Sequence, residues 1–143
     1  MIDLFAGTGA LGLEAASRGA ESVSLIEKNP QAVKICQENL WLVEAALNKS
    51  DLSPILRLEK TAAEKYCKSE RKASLVFIDP PYEYENQQIQ TLLDAFKNNS
   101  DCIFVIERSA KSDGLALPAN FELLTKKHYG DTVVYFFTTG GAQ

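Results

Sequence analysis

A short apolar run, Ile2-Asp3-Leu4-Phe5, meets Gly7-Thr8-Gly9-Ala10-Leu11-Gly12, and a helical pattern from Ala10 to Arg18 overlaps its end. Glycines spaced Gly-x-Gly-x-x-Gly between a strand and a helix restrict the chain to a tight βα turn. Gly7 takes the turn, Gly9 lets a ligand approach the main chain, and Gly12 lets helix and strand pack closely. A strand feeding a helix in this way calls for a second, parallel strand. That strand is Ser22–Glu27, and its last residue, Glu27, lies twenty positions after Gly7. An acid at the tip of the second strand is where a ribose with two free hydroxyls is held. Glycines that serve only a turn are the plainer reading, and the placed acid weighs against it.

The rest of the chain keeps alternating. Strands are predicted at Ile2–Phe5, Ser22–Glu27, Ile55–Glu59, Leu75–Asp79 and Cys102–Glu107, with helical patterns between them. In the second helix Asn29 caps, Pro30 takes the first position, and Val33, Cys36, Leu40, Val43 and Leu47 form one stripe. Thr61 and Glu64 have capping-box spacing for a short third helix. Asn86 to Phe96 supplies a fourth. Phe121–Lys127 and Thr132–Thr138 flank Tyr129-Gly130-Asp131 as a hairpin. Strands joined by helical crossovers give an open, mostly parallel sheet with an antiparallel end.

Composition excludes several classes. With 143 residues, 45% hydrophobic and 24% charged, the chain suits one soluble domain that buries about two thirds of its unfolded surface. No apolar stretch reaches membrane-span length, and no secretory signal pattern opens it. Cys36, Cys67 and Cys102 lack paired spacing and read as reduced thiols of a cytoplasmic protein. One histidine, His128, and no Cys-x-x-Cys argue against a metal site; beside Lys126 and Lys127, His128 reads as a solvated residue before a turn.

A second motif carries chemistry. Asp79-Pro80-Pro81-Tyr82 comes directly after the apolar run Leu75-Val76-Phe77-Ile78. Two prolines remove two donors and fix two φ angles, and each pushes its predecessor into extended conformation. The strand must stop in a stiff turn that offers carbonyl oxygens, one carboxylate and an aromatic ring. Such a turn can accept hydrogens from an amino group while a flat ring stacks on Tyr82; a Pro-rich turn with a surface tyrosine is the plain alternative. In an open α/β sheet ligands sit beyond the carboxyl ends of the strands. The glycine loop, Glu27, Thr61-Ala62 and Asp79 to Tyr82 all fall at such ends. Asp3 either meets an ammonium group or orders the loop backbone.

These residues resemble a family. Asp3 to Gly12, the acid Glu27 and the Asp-Pro-Pro-Tyr turn look like an S-adenosylmethionine-dependent amino-methyltransferase. Asp3 to Ala20, Phe77 to Tyr82 and Tyr129-Gly130-Asp131-Thr132 resemble the bacterial 16S rRNA guanine-N2 methyltransferases of RsmD type. The resemblance implies a Rossmann-like class I fold, a seven-stranded sheet ordered 3-2-1-4-5-7-6 with helices on both faces and a C-terminal hairpin. It implies catalysis at Asp79, Pro80, Pro81 and Tyr82. The expected cofactor contacts are Asp3, Phe5, Gly7, Gly9, Glu27, Lys28, Thr61, Ala62 and Asp79. The expected substrate is the N2 amine of a guanine in 16S rRNA, within a small-subunit particle, and the expected enzyme is a cytoplasmic monomer of one domain, residues 1–143.

Two features depart from the family pattern. Relatives carry residues ahead of the first strand, including a helix over the cofactor, whereas here Met1 almost touches the glycine loop. The net charge is −4, while an RNA binder carries a basic footprint. Arg57, Lys60, Lys65, Lys68, Arg71 and Lys72 form a local basic excess against Glu59, Glu64 and Glu70, read as solvated surface. An adenine-N6 DNA methyltransferase, a nicotinamide dehydrogenase and a truncated, non-catalytic relative stay open as alternatives.

Overall fold

Strand β1 (Ile2–Asp3) is half the expected length, and the cause is Asp3 itself. Its Oδ1 accepts from the Phe5 N–H at 3.3 Å, a local turn that competes with the ladder. The chain still runs beside the second strand, because the Ala6 N–H donates to Ile26 O at 2.9 Å. A computed structural model describes residues 1–112 and 114–140. They divide into two compact units, Met1–Ala63 and Glu64–Gln143.

In the first unit, β1 is succeeded by α1 (Ala10–Ser17), β2 (Ser22–Glu27), α2 (Pro30–Leu47) and β3 (Ile55–Lys60). Both strand pairs are parallel, with Asp3 level with Leu25 and Glu27 level with Lys60. Asn29 caps α2 as expected, its Oδ1 accepting from Gln31 N at 2.9 Å and Ala32 N at 3.2 Å, worth about 1 kcal/mol. The predicted stripe is the buried side of α2: Cys36, Leu40 and Leu47 join Ala6, Leu13, Ala16, Val23 and Leu25 in one core, with Val43 against it. Gly12 is what allows α1 to close on β2. A Cβ there would lie 2.3 Å from Leu25 Cδ2 and 3.1 Å from Val23 Cγ1.

The second unit holds β4 (Leu75–Ile78), α4 (Asn86–Leu93), β5 (Ile103–Ser109), β6 (Phe121–Tyr129) and β7 (Thr132–Thr139); the short α3 (Ala63–Tyr66) leads into it. Strand β4 stops one residue earlier than expected, as Pro80 dictates. Helix α4 begins with a reciprocal cap between Glu85 and Gln88, in which the Glu85 N–H donates to Gln88 Oε1 at 2.8 Å. Strand β5 pairs parallel with β4 and antiparallel with β7, and β7 pairs antiparallel with β6 across the tight turn at Gly130, whose φ is 57°. The core is aromatic. Phe104 stacks on Phe137 with ring centroids 5.0 Å apart and meets Phe96 edge-on at 5.7 Å. The strand order is β3-β2-β1-β4-β5-β7-β6, the order expected.

Candidate active site

The glycine loop of the first unit is held by side chains on two flanking elements. Glu27 Oε1 accepts from the Gly7 N–H at 2.8 Å, and Oε2 accepts from the Asn29 N–H at 2.9 Å. From α2, Asn39 Nδ2 donates to Thr8 O at 2.9 Å. Gly7 and Gly9 both sit at positive φ, 58° and 85°, where side chains are strained. Their roles differ. A Cβ at Gly9 would lie 2.7 Å from Cys36 Sγ, whereas one at Gly7 would meet nothing within 4 Å. Gly9 therefore also serves packing, and the open space of the loop lies beside Gly7.

The first unit carries eight of the expected cofactor residues at or just after the carboxyl ends of its strands. Asp3 is buried at the end of β1, and Phe5 is half-buried beyond it. Lys28 is exposed directly after Glu27. Thr61 and Ala62 come after β3, and the Thr61 N–H donates to Glu27 O at 3.1 Å, which brings them to the same edge. Cys36 feels this concentration of acid: burial first, then the carboxylates of Asp3 and Glu27, push its thiol up to about 11. It is a packing residue and not a nucleophile.

In the second unit, Asp79, Pro80, Pro81 and Tyr82 leave β4 as the expected stiff lip. Asp79 is exposed, and Tyr82 is 92% exposed, the most open large hydrophobic side chain among the described residues. Residues just beyond Tyr82 anchor the lip. The Tyr84 N–H donates to Pro81 O at 3.0 Å. Tyr84 is buried, and its hydroxyl donates to Glu64 Oε1; burial and that bond raise its pKa. Arg108 of β5 is 8% exposed, and its Nη2 donates to Tyr84 O and Asn86 Oδ1, each at 2.9 Å. Burial lowers the Arg108 pKa, and its Nε has no partner among the described residues. Glu107, one residue earlier on β5, adjoins Asp79; partial desolvation, then the charge of Asp79, raises its pKa.

Sequence reasoning found the lip and missed its supports. Tyr84 lay hidden between the acids Glu83 and Glu85, and Glu107 and Arg108 resemble a polar strand end. Only the pairing of Ile78 with Ile106 reveals that Glu107 adjoins the lip. The basic run also differs from its reading as solvated surface. Arg71 stacks 3.8 Å over the Tyr66 ring and its Nε donates to Tyr66 O at 2.9 Å, so it is a structural cation. His128 is exposed on β6, as expected. Cys36 and Cys102 are buried and Cys67 half-buried, all without disulfides. Among the described residues no group of His, Cys, Asp and Glu could hold a metal ion, and no helix is long and apolar enough to cross a membrane.

Residues 1–138 match the family described as conserved hypothetical protein 95. The chain belongs to that family, the RsmD-type methyltransferases. It is 27% identical to the ribosomal RNA small subunit methyltransferase D of Haemophilus influenzae over 90% of this chain and 66% of the relative. An uncharacterized methylase of Rickettsia prowazekii is 30% identical over 92% of this chain and 72% of its own length. A solved structure, a conserved hypothetical protein from Streptococcus pyogenes, superposes with a TM-score of 0.77 at 31% identity, covering 96% of this chain and 84% of that one. The chain thus spans about two thirds of the length of these two sequence relatives. RsmD-type chains of this sheet order have the Rossmann-like class I methyltransferase fold.

Proposed function

We propose that this protein transfers a methyl group from S-adenosylmethionine to the exocyclic N2 amine of a guanine in 16S ribosomal RNA. In this reading it works as a cytoplasmic monomer on a small-subunit particle, and the two units act as one methyltransferase domain. The observation that carries the proposal is the lip: a carboxylate, a donor-free proline pair and a ring 92% exposed, at a strand end in a methyltransferase family. A relative named as a ribosomal RNA small subunit methyltransferase supports the choice of RNA.

The first unit fits the cofactor on its own geometry. Space is open beside the Gly7 main chain. Each Glu27 oxygen accepts one hydrogen bond and keeps acceptor capacity for a ribose hydroxyl. Asp3 would face the ammonium group, Phe5 and Lys28 the edges of the site, and Thr61 and Ala62 the base. S-adenosylmethionine, when bound, supplies a methyl group already activated on a sulfonium.

What remains for the protein is alignment and charge. An exocyclic amine is a poor nucleophile because its lone pair is delocalised into the ring. Asp79 and the Pro80 carbonyl accept its hydrogens, help the nitrogen pyramidalise and stabilise its developing positive charge. Pro81 holds the turn stiff. Tyr82 stacks on an extruded or unpaired base, worth about 1–3 kcal/mol. With a net charge of −4, naked RNA would be held weakly, which favours an assembled particle as substrate.

The test uses small-subunit particles from a strain lacking this methylation and methyl-labelled cofactor. Label should appear at a guanine N2, and Asp79→Ala should lower kcat by about a hundredfold while changing cofactor affinity far less. Label at an adenine of DNA, or none in any particle, would overturn the proposal.

A further inference from the structure

The ring that stacks on the substrate base has almost no packing of its own. Tyr82 is 92% exposed, so the backbone that carries it sets its direction. That backbone is a four-residue turn: the Tyr84 N–H donates to Pro81 O at 3.0 Å, with Tyr82 and Glu83 as the central residues. Pro80 and Pro81 stiffen the entry to the turn. Its central residues are both exposed, so what holds the exit decides whether the turn keeps one shape.

The exit is Tyr84. It lies between the exposed acids Glu83 and Glu85, yet it is only 8% exposed and is tied at three points. Its N–H closes the turn. Its carbonyl accepts from Nη2 of the buried Arg108 at 2.9 Å, and the same nitrogen donates to Asn86 Oδ1 at 2.9 Å, so β5 clamps the turn to the first residue of α4. Its hydroxyl donates to Glu64 Oε1 on α3. Bonds to a guanidinium and to a carboxyl group are of the stronger kind. A single tether would let the turn pivot about the end of β4; two, to different elements, remove that freedom.

We infer that Tyr84 is a positioning residue of the acceptor site, whose bonds to Glu64 and Arg108 fix the turn that aims the Tyr82 ring at the base. The inference rests on the methyl-transfer reading above. Tyr84 is buried and acts through Tyr82. Without the tethers each incoming base would have to order the turn as it stacked, and its capture would weaken.

Tyr84→Phe keeps the ring and the turn and removes the hydroxyl alone. Glu64 is exposed, so water replaces its lost donor and the variant should fold. On unmethylated small-subunit particles, Tyr84→Phe should lower kcat/KM for the particle about fivefold and leave cofactor affinity unchanged. Glu64→Gln keeps an acceptor oxygen and should retain most of the rate, whereas Glu64→Ala should match Tyr84→Phe. In a Tyr82→Ala background the added Tyr84→Phe should cost less than about twofold, since the ring it aims is gone. Independently of activity, the Tyr82 amide of the cofactor-free protein should show an NMR order parameter of about 0.85, dropping toward about 0.6 in Tyr84→Phe. Wild-type kcat/KM in Tyr84→Phe, a Glu64→Gln variant as impaired as Glu64→Ala, an undiminished loss in the Tyr82→Ala background, or a Tyr82 amide equally ordered in both proteins would overturn the inference. A wild-type chain that methylates no particle while the Tyr82 amide still loosens in Tyr84→Phe would overturn the functional reading, and the role with it, but not the tether.

Discussion

The glycine loop of the first unit and the proline lip of the second are both turns at strand ends, yet they are made rigid by opposite means. The loop is shaped by missing side chains: Gly12 gives α1 and β2 their close approach, and Gly7 and Gly9 adopt φ values that other residues resist. Its main chain is then tied down from both sides, Glu27 accepting from the Gly7 N–H and Asn39 donating to the Thr8 carbonyl. The lip is fixed locally by prolines, but beyond them by side chains distant in sequence: Glu64 and Arg108. A site built from backbone shape tolerates almost no added atoms. One built from side-chain bonds fails by losing partners.

Substitutions that add an atom on one side, and remove a partner on the other, break this contrast. Gly12→Ala should have the largest effect, about 3 kcal/mol of stability lost, because a Cβ 2.3 Å from Leu25 overpacks a closed core. Chemical denaturation measures it, and a loss below about 1 kcal/mol would show that Leu25 can give way. Arg108→Met should come next, at about 2 kcal/mol, since it removes charged donors from Tyr84 O and Asn86 and keeps only the bulk. In a transfer assay it should slow methylation while cofactor affinity stays at the wild-type value; a change confined to cofactor affinity would contradict the lip's dependence on β5. Glu27→Gln should be mildest for stability, about 1 kcal/mol, because one of the Gly7 and Asn29 donors loses its acceptor. Calorimetry should nonetheless find cofactor binding weaker by about tenfold. If Glu27→Gln binds as wild type, the ribose contact is wrong.

The same contrast explains what could be read in the sequence. The glycine loop depends on residue types at fixed local spacing, so Gly7, Gly9, Gly12 and Glu27 were legible together, as were the apolar runs of β2, β4 and β5. Asp79 to Tyr82 announced a strand end for the same local reason. Glu107 and Arg108 were not legible as neighbours of the lip, because the residues they meet lie more than twenty residues away and only the β4–β5 register brings them together. The overlong reading of β1 has a local cause as well: an apolar pattern cannot show that Asp3 will turn its carboxylate onto the Phe5 amide. Gly9 illustrates a subtler limit. Its spacing signals room for a ligand, yet the contact that a Cβ would violate is with Cys36, on the next helix.

The last strand of the order, β6, runs nine residues, exposed after Phe121 and including Leu123 and Leu124. Such a border offers a template on which another polypeptide could zip up, a hazard for any protein present in quantity. Here the shift of register between Leu123 and Thr125 disturbs the template beside those leucines, and Lys126, Lys127 and His128 occupy the adjoining stretch. Docked sheets would bring those lysines against their counterparts. The hairpin thus discourages self-assembly with its own charges, and substitutions that neutralise the two lysines belong in no version of this protein meant to stay dispersed.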